Sequence, residues 1–208
     1  MGKVNEKIGT DYKPFNYYGA PDATDIIVAM GSVCDAAEEL IDFMLKDGKK
    51  VGILEVHLYR PFSPKYMLAV MPETVKNISV LDRTKEPGGI AEPLYLDVVT
   101  ALKGTRFENA KMYKGRYGLG LKDVQPGDLL AAFENMEKPD GKHEFTLSIN
   151  DDVTHLSVTP SHYPNTAPEG TKACKFWGLG ADGTVGATQC LEEISPANFR
   201  FQIGRAHV

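Results

Sequence analysis

The residues best placed for ligand chemistry run Gly178-Leu179-Gly180-Ala181-Asp182-Gly183-Thr184, directly after the apolar, aromatic Lys175-Phe176-Trp177. Glycines spaced G-x-G-x-x-G let backbone N–H groups approach a phosphate, while the start of a following helix adds partial positive charge. A phosphate-binding turn and a merely structural turn fit these residues equally well. The acidic ribose partner expected about 20 residues further on has no room before Val208, so on this reading the chain is cut short. Asp151 and Asp152 with His155 have the residue types of a metal cluster. Adjacent carboxylates on an extended strand point to opposite sides, however, so a solvated turn is the expectation. Glu55 and His57 share one face of a regular strand, and Arg60, Asp82 and Arg83 fall at or just past strand ends. That edge is where open parallel sheets place ligands. Ion pairs that close it onto a neighbouring domain account for these residues better than catalysis does. His143, His155 and His162 lie in polar loop sequence, and no Ser-His-Asp or Cys-His spacing stands out.

The elements that must position these groups follow from periodicity. Ile26-Ile27-Val28-Ala29-Met30 is a continuous apolar run, the mark of a strand buried on both faces, and Gly31-Ser32 turns it. Ser32 with Asp35 has the form of a capping box, after which Val33, Ala37, Leu40, Ile41, Met44 and Leu45 recur at helical spacing until Gly48. Val51 to Leu58 reads as the next strand; Ser63 as cap and Pro64 at the first helical position open a short helix through Met71. Asn77 to Leu81 is a third strand, Asp82 to Gly89 a polar loop, and Pro93 to Leu102 a helix closed by Gly104. Three βα units in series predict right-handed crossovers and a mainly parallel sheet with helices on its faces, an α/β fold. Lys111 to Leu121 is strand-like, Gln125-Pro126-Gly127-Asp128 leads into a helix through Phe133, and Phe145 to Ile149 is a last strand. Residues 150–172, rich in Asp, Thr, Ser, Pro and Asn, read as a connector lying over the surface.

Composition excludes several classes of function. The formal net charge is −5 and Lys and Arg are scattered among acids, so no basic stripe for nucleic acid is present. No apolar run approaches the roughly 20 residues of a membrane span, and Met1 to Tyr18 is polar, which predicts a cytoplasmic setting. Cys34, Cys174 and Cys190 have no CxxC spacing, which argues against a disulfide framework or a cluster site. Cys34 and Cys174 are expected as small buried side chains.

Several longer blocks carry more information than any single motif. Asp11-Tyr12-Lys13-Pro14-Phe15-Asn16-Tyr17-Tyr18-Gly19-Ala20-Pro21-Asp22-Ala23, Met30-Gly31-Ser32, Tyr59-Arg60-Pro61-Phe62, Leu81-Asp82-Arg83-Thr84-Lys85-Glu86-Pro87-Gly88, Gly115-Arg116-Tyr117-Gly118-Leu119 and Phe176 to Gly186 resemble pyruvate:ferredoxin (flavodoxin) oxidoreductases, from near Val4 to about Thr188. The resemblance implies CoA-dependent oxidative decarboxylation of pyruvate to acetyl-CoA and carbon dioxide. Electrons would pass from thiamine diphosphate, with Mg, through [4Fe-4S] clusters to ferredoxin or flavodoxin.

It also implies a division of the chain. Residues 1–24 are a connecting segment, 25–149 the transketolase C-terminal-like second domain (a three-layer αβα sandwich), 150–172 the connector, and 173–188 the start of the gamma-type third domain. The thiamine-binding domains and cluster-ligating cysteines of the family match nothing here. No catalytic residue and no metal ligand is therefore carried over, and none of these cofactors is expected on this piece. Its implied role is to support the thiamine-binding domains of the same enzyme and the homodimer. The glycine turn is the one place where a ligand role transfers, as a contact of Gly178, Gly180, Asp182, Gly183 and Thr184 with coenzyme A phosphates. After Thr188 the resemblance stops, and Ile203 to Val208 reads like translated adapter DNA, so residues 189–208 are expected to be non-native, Cys190 and His207 included. The alternative to an enzyme fragment is a freestanding αβα binding or scaffold module.

Overall fold

A computed structural model describes residues 1–149, 153–167, 170–178 and 199–205, with the two strands in 172–178 and 199–205 described by backbone alone. Met1–Pro164 forms one compact unit and Asn165–Val208 a second.

The first unit is built on a six-stranded sheet ordered β1-β3-β2-β4-β5-β6. Its strands are β1 (Phe15–Gly19), β2 (Asp25–Ala29), β3 (Val51–Val56), β4 (Asn77–Asp82), β5 (Lys111–Arg116) and β6 (Glu144–Thr146). All neighbours pair in parallel except β1, which lies antiparallel on β3. The central strands are apolar on both sides: Ile26, Ile27, Val28, Ile53, Leu54, Ile78, Val80 and Leu81 are all at most 1% exposed. Such strands need helices on both faces. Helices α2 (Val33–Lys46) and α5 (Pro126–Glu137) cover one face. Helices α3 (Pro64–Val70) and α4 (Pro93–Leu102) cover the other, giving the expected three-layer αβα sandwich. The connections β2-α2-β3, β3-α3-β4 and β4-α4-β5 are mutually consistent in hand. The passage β5-α5-β6 moves the same way across the sheet as β4-α4-β5 but over the opposite face, so it has the opposite hand.

Several local expectations are corrected. The segment before Asp25 is not all connector: Gly2–Ile8 is a short helix (α1), and β1 is an edge strand whose Phe15 is buried. Ser32 makes no side-chain capping bond, nor does Ser63, although Pro64 does open α3. The true capping box is at α5, where the Gln125 N–H donates to Asp128 Oδ2 at 2.9 Å and the Gln125 side chain reciprocates. The last strand ends at Thr146 because Ser148 takes φ +62, a conformation that breaks extension. Its hydroxyl donates to the Asp123 carbonyl at 2.7 Å. The surface connector is tied down along its described part: Thr146 bridges Ser157 in parallel, and Ser161 bonds the Glu134 carboxylate.

In the second unit β7 (Lys172–Gly178) pairs in parallel with β8 (Phe199–Arg205).

Candidate functional site

Strands β2 and β4 lie side by side, yet the helices that follow them leave to opposite faces. That arrangement is a topological switch point, and it opens a crevice at the carboxyl ends of the strands. A cleft of ≈ 370 Å³ occupies it, lined by Met30, Tyr59, Asp82, Arg83 and Tyr117 among others. A second cleft of ≈ 200 Å³ shares Ser32, Arg83 and Tyr117 and adds Lys122 and Asp123.

The polar groups of this edge divide into those already satisfied and those left open. Asp82, 6% exposed, accepts the backbone N–H of Leu94 at 3.1 Å on Oδ1 and that of Tyr95 at 3.2 Å on Oδ2. It caps α4 from another strand, since Glu92 at the N-cap position makes no capping bond. Loss of water outweighs those two bonds and pushes the Asp82 carboxyl up to about 6. Tyr59 donates its hydroxyl to Asp97 at 2.8 Å, and Arg60 pairs with the same carboxylate at 2.8 Å while lying 3.8 Å over the Tyr59 ring. Arg116 bridges Glu92 at 3.0 Å and Glu144 at 2.7 Å, and Lys114 joins Glu144 at 2.7 Å. Burial pushes the Tyr117 phenol up to about 12, and its hydroxyl donates to the Met30 carbonyl at 3.3 Å.

Arg83 is different. It makes no ion pair or side-chain hydrogen bond among the described residues. Its side chain lies against Gly118, where a Cβ would come within 2.9 Å of Nε and where φ is +63. Glycine takes that backbone without strain and leaves room for the close approach.

A second polar cluster sits at the end of β3. Glu55, 7% exposed, faces α2, where Glu38 hydrogen-bonds it and Asp35 adds negative charge. Desolvation first, then these two acids, push the Glu55 carboxyl up to about 7. His57 Nε2 stands 3.5 Å from Glu55 Oε2.

The residues singled out by sequence are thus dispersed. Asp82 and Arg83 meet at the switch point; Glu55 and His57 meet at the end of β3; Arg60 is paired on α4. Arg60 and Asp82, expected to pair onto a neighbouring domain, are instead engaged within the unit itself, Arg60 by Asp97 and Asp82 by the backbone at the start of α4. Gly178 ends β7, while Gly180, Asp182, Gly183 and Thr184 lie outside the described residues, as do Asp151 and Asp152. His155 is exposed with φ +57, His143 Nε2 lies 3.2 Å from the Tyr95 hydroxyl, and His162 Nδ1 lies 3.0 Å from Ser161. Among the described residues no three His, Cys, Asp or Glu side chains could hold a metal ion. Cys34 is buried, and desolvation above all pushes its thiol up to about 12, as suits a packing residue. Sequence reasoning missed Tyr117, Gly118 and Lys122 as lining residues. The strand was expected to run through Leu121, which hid that it ends at Arg116 and turns at the sheet edge.

The family profile of the pyruvate:ferredoxin oxidoreductase core domain II matches residues 23–129. The chain belongs to that family. The core domain II match contains every residue of the switch-point clefts. The chain is 50% identical to the pyruvate-flavodoxin oxidoreductase of Enterobacter agglomerans over 195 residues, which is 93% of this chain and 16% of that protein. It is 48% identical to the pyruvate:ferredoxin oxidoreductase of Moorella thermoacetica over 91% of this chain and 16% of that protein. The chain therefore spans about 16% of the length of these relatives. A solved 2-oxoglutarate:ferredoxin oxidoreductase from Magnetococcus marinus matches 65% of this chain and 22% of its own at TM-score 0.44 and 17% identity. No helix among the described residues is long and apolar enough to cross a membrane.

Proposed function

We propose that this chain is the core domain II layer of an enzyme that oxidatively decarboxylates pyruvate with coenzyme A and passes the electrons to ferredoxin or flavodoxin. Its part in that work is architectural: a rigid αβα sandwich that supports the thiamine-binding domains of the same polypeptide and their dimer. The observation that carries the reading is the identity of about half over nearly all of this chain to relatives of which it covers only 16%. The donor set agrees with a supporting role. A [4Fe-4S] cluster takes four thiolates, whereas the chain has three cysteines and that of Cys34 is buried with its thiol pushed to about 12. The clusters accordingly belong on other domains, and on this reading thiamine diphosphate and its Mg sit there too. Residues 173–188 open the following gamma-type domain on this reading, and Gly178, Gly180, Asp182, Gly183 and Thr184 contact coenzyme A phosphates there.

A domain exchange tests the proposal. Residues 23–129 replace the matching segment of the Enterobacter agglomerans enzyme, and pyruvate-dependent flavodoxin reduction is measured beside the isolated 208-residue chain. The expected outcome is an active chimera and an inactive isolated chain. Pyruvate decarboxylation by the isolated chain overturns the reading, as does a folded, cofactor-loaded chimera without activity; the latter favours a freestanding scaffold module.

A further inference from the structure

Two contiguous clefts of opposite character meet at the switch point, and the architectural role above uses neither. The larger, ≈ 370 Å³, is walled by Met30, Tyr59, Pro93 and Tyr117, with Asp82 as its acid. Its size and apolar lining with few polar groups are those of a small-molecule site. The Tyr59 wall is stiff, because its hydroxyl is tied to Asp97 and its ring lies under Arg60. The smaller, ≈ 200 Å³, is polar and sets Arg83 and Lys122 against the single carboxylate of Asp123, with Ser32 beside them. Ser32, Arg83 and Tyr117 line both, so the clefts share a wall.

The unpaired state of Arg83 is out of keeping with the rest of the unit. Arg60, Arg106 and Arg116 each have a carboxylate within 3.0 Å. Arg83 instead lies along Gly118, whose missing side chain leaves space for it at the junction of the clefts. Asp82 also keeps acceptor capacity, since each oxygen takes one backbone N–H and carries a further lone pair.

We propose that the paired clefts bind an adenine mononucleotide-type ligand. The flat ring lies in the apolar cleft against the tyrosines with its exocyclic amine donating to Asp82, and the phosphate lies on Arg83 and Lys122. A planar guanidinium matches phosphate oxygens two at a time, which an ammonium does not. An inorganic anion fills only the polar cleft, and an uncharged ring leaves Arg83 unmatched. A ligand that joins both characters across neighbouring clefts engages Asp82 and Arg83 together.

The test titrates AMP into the 208-residue chain and follows backbone amide shifts by NMR alongside calorimetry, with IMP, adenosine and inorganic phosphate as comparison probes. The expected result is saturable AMP binding at a Kd of about 1 mM or tighter, centred on residues 30–32, 82–84 and 117–124. Arg83→Ala weakens it by roughly tenfold or more, a larger loss than the same change causes for adenosine. Because Arg83 is exposed and unpaired, this variant keeps the wild-type melting temperature. IMP, which carries a carbonyl oxygen where AMP has its amine, binds more weakly, and this reads the Asp82 contact without altering the acid that caps α4. Absence of AMP binding overturns the proposal. So does binding that phosphate alone reproduces, that IMP equals, or that Arg83→Ala leaves unchanged.

Discussion

Replacing Glu55 by Gln should stabilise the protein at alkaline pH and do little in acid. Glu55 is 7% exposed at the end of β3, hydrogen-bonded to Glu38 and close to Asp35, with Cys34 on the same helix and His57 3.5 Å away. Its cross-strand partner on β1 is Asn16, whose buried Oδ1 finds no hydrogen-bond donor among the described residues. A protonated carboxyl can donate to Glu38 or to that oxygen, whereas an ionised one can donate to neither. The carboxyl is raised from 4.5 to about 7 in the folded chain. Below about pH 4.5 it is protonated in both folded and unfolded states and the rise has no effect. Between 4.5 and 7 the folded state holds a proton that the unfolded state has released, so stability falls as pH rises. Above about pH 7 the loss is complete. At about 1.4 kcal/mol per pH unit, a rise from 4.5 to about 7 corresponds to roughly 3.5 kcal/mol as an upper bound. Because water and side-chain relaxation screen part of the penalty, Glu55→Gln should recover about 1–3 kcal/mol at pH 8.5 and near zero at pH 4. Urea unfolding followed by far-ultraviolet circular dichroism at both pH values measures the difference. A Gln variant that is no more stable than the parent at pH 8.5, or equally stabilised at pH 4, refutes the reasoning.

Other perturbations probe separate parts of the unit. Arg116→Leu strands the Glu92 carboxylate, whose side chain is only 5% exposed, and should cost about 3 kcal/mol in urea unfolding. Adding Glu92→Gln to it should restore a large part, giving a coupling energy in the double-mutant cycle; simple additivity would deny the pair its role. Gly115→Ala would put a Cβ 2.5 Å from Leu81 Cδ2 and 2.7 Å from Phe145 Cζ. Overpacking of that kind should destabilise by about 1–3 kcal/mol, read as a lower melting temperature, and an unchanged melt would show that the β5 face has room. Phe133→Ala empties a 1%-exposed position under α5 and should cost about 3–5 kcal/mol by the same measurement.

The amino-acid pattern was a good guide wherever structure depends on neighbours in the chain. The apolar run at 26–30 was legible as a doubly buried strand, the runs at 51–58 and 77–81 as strands, and the i, i+3, i+4 spacing from Val33 to Leu45 as a helix, because burial imposes its pattern on the sequence. The blocks from Asp11 to Gly186 were legible as a family. The edge strand β1 was not, since Phe15-Asn16-Tyr17-Tyr18-Gly19 is short and only Phe15 is buried, leaving no alternation to see.

What the fold alone decided were contacts between segments far apart in the chain. Nothing local to Asp82 says that it caps α4, nothing local to Ser32 says that it makes no capping bond to α2, and nothing near Arg83 says that Gly118 lies beneath it. Glu55 and Glu38 became partners only because α2 doubles back over β3. Period and composition report which face of an element is buried. The groups that meet across that face depend on strand order, and strand order is set by hydrogen bonds and packing summed over the whole sheet.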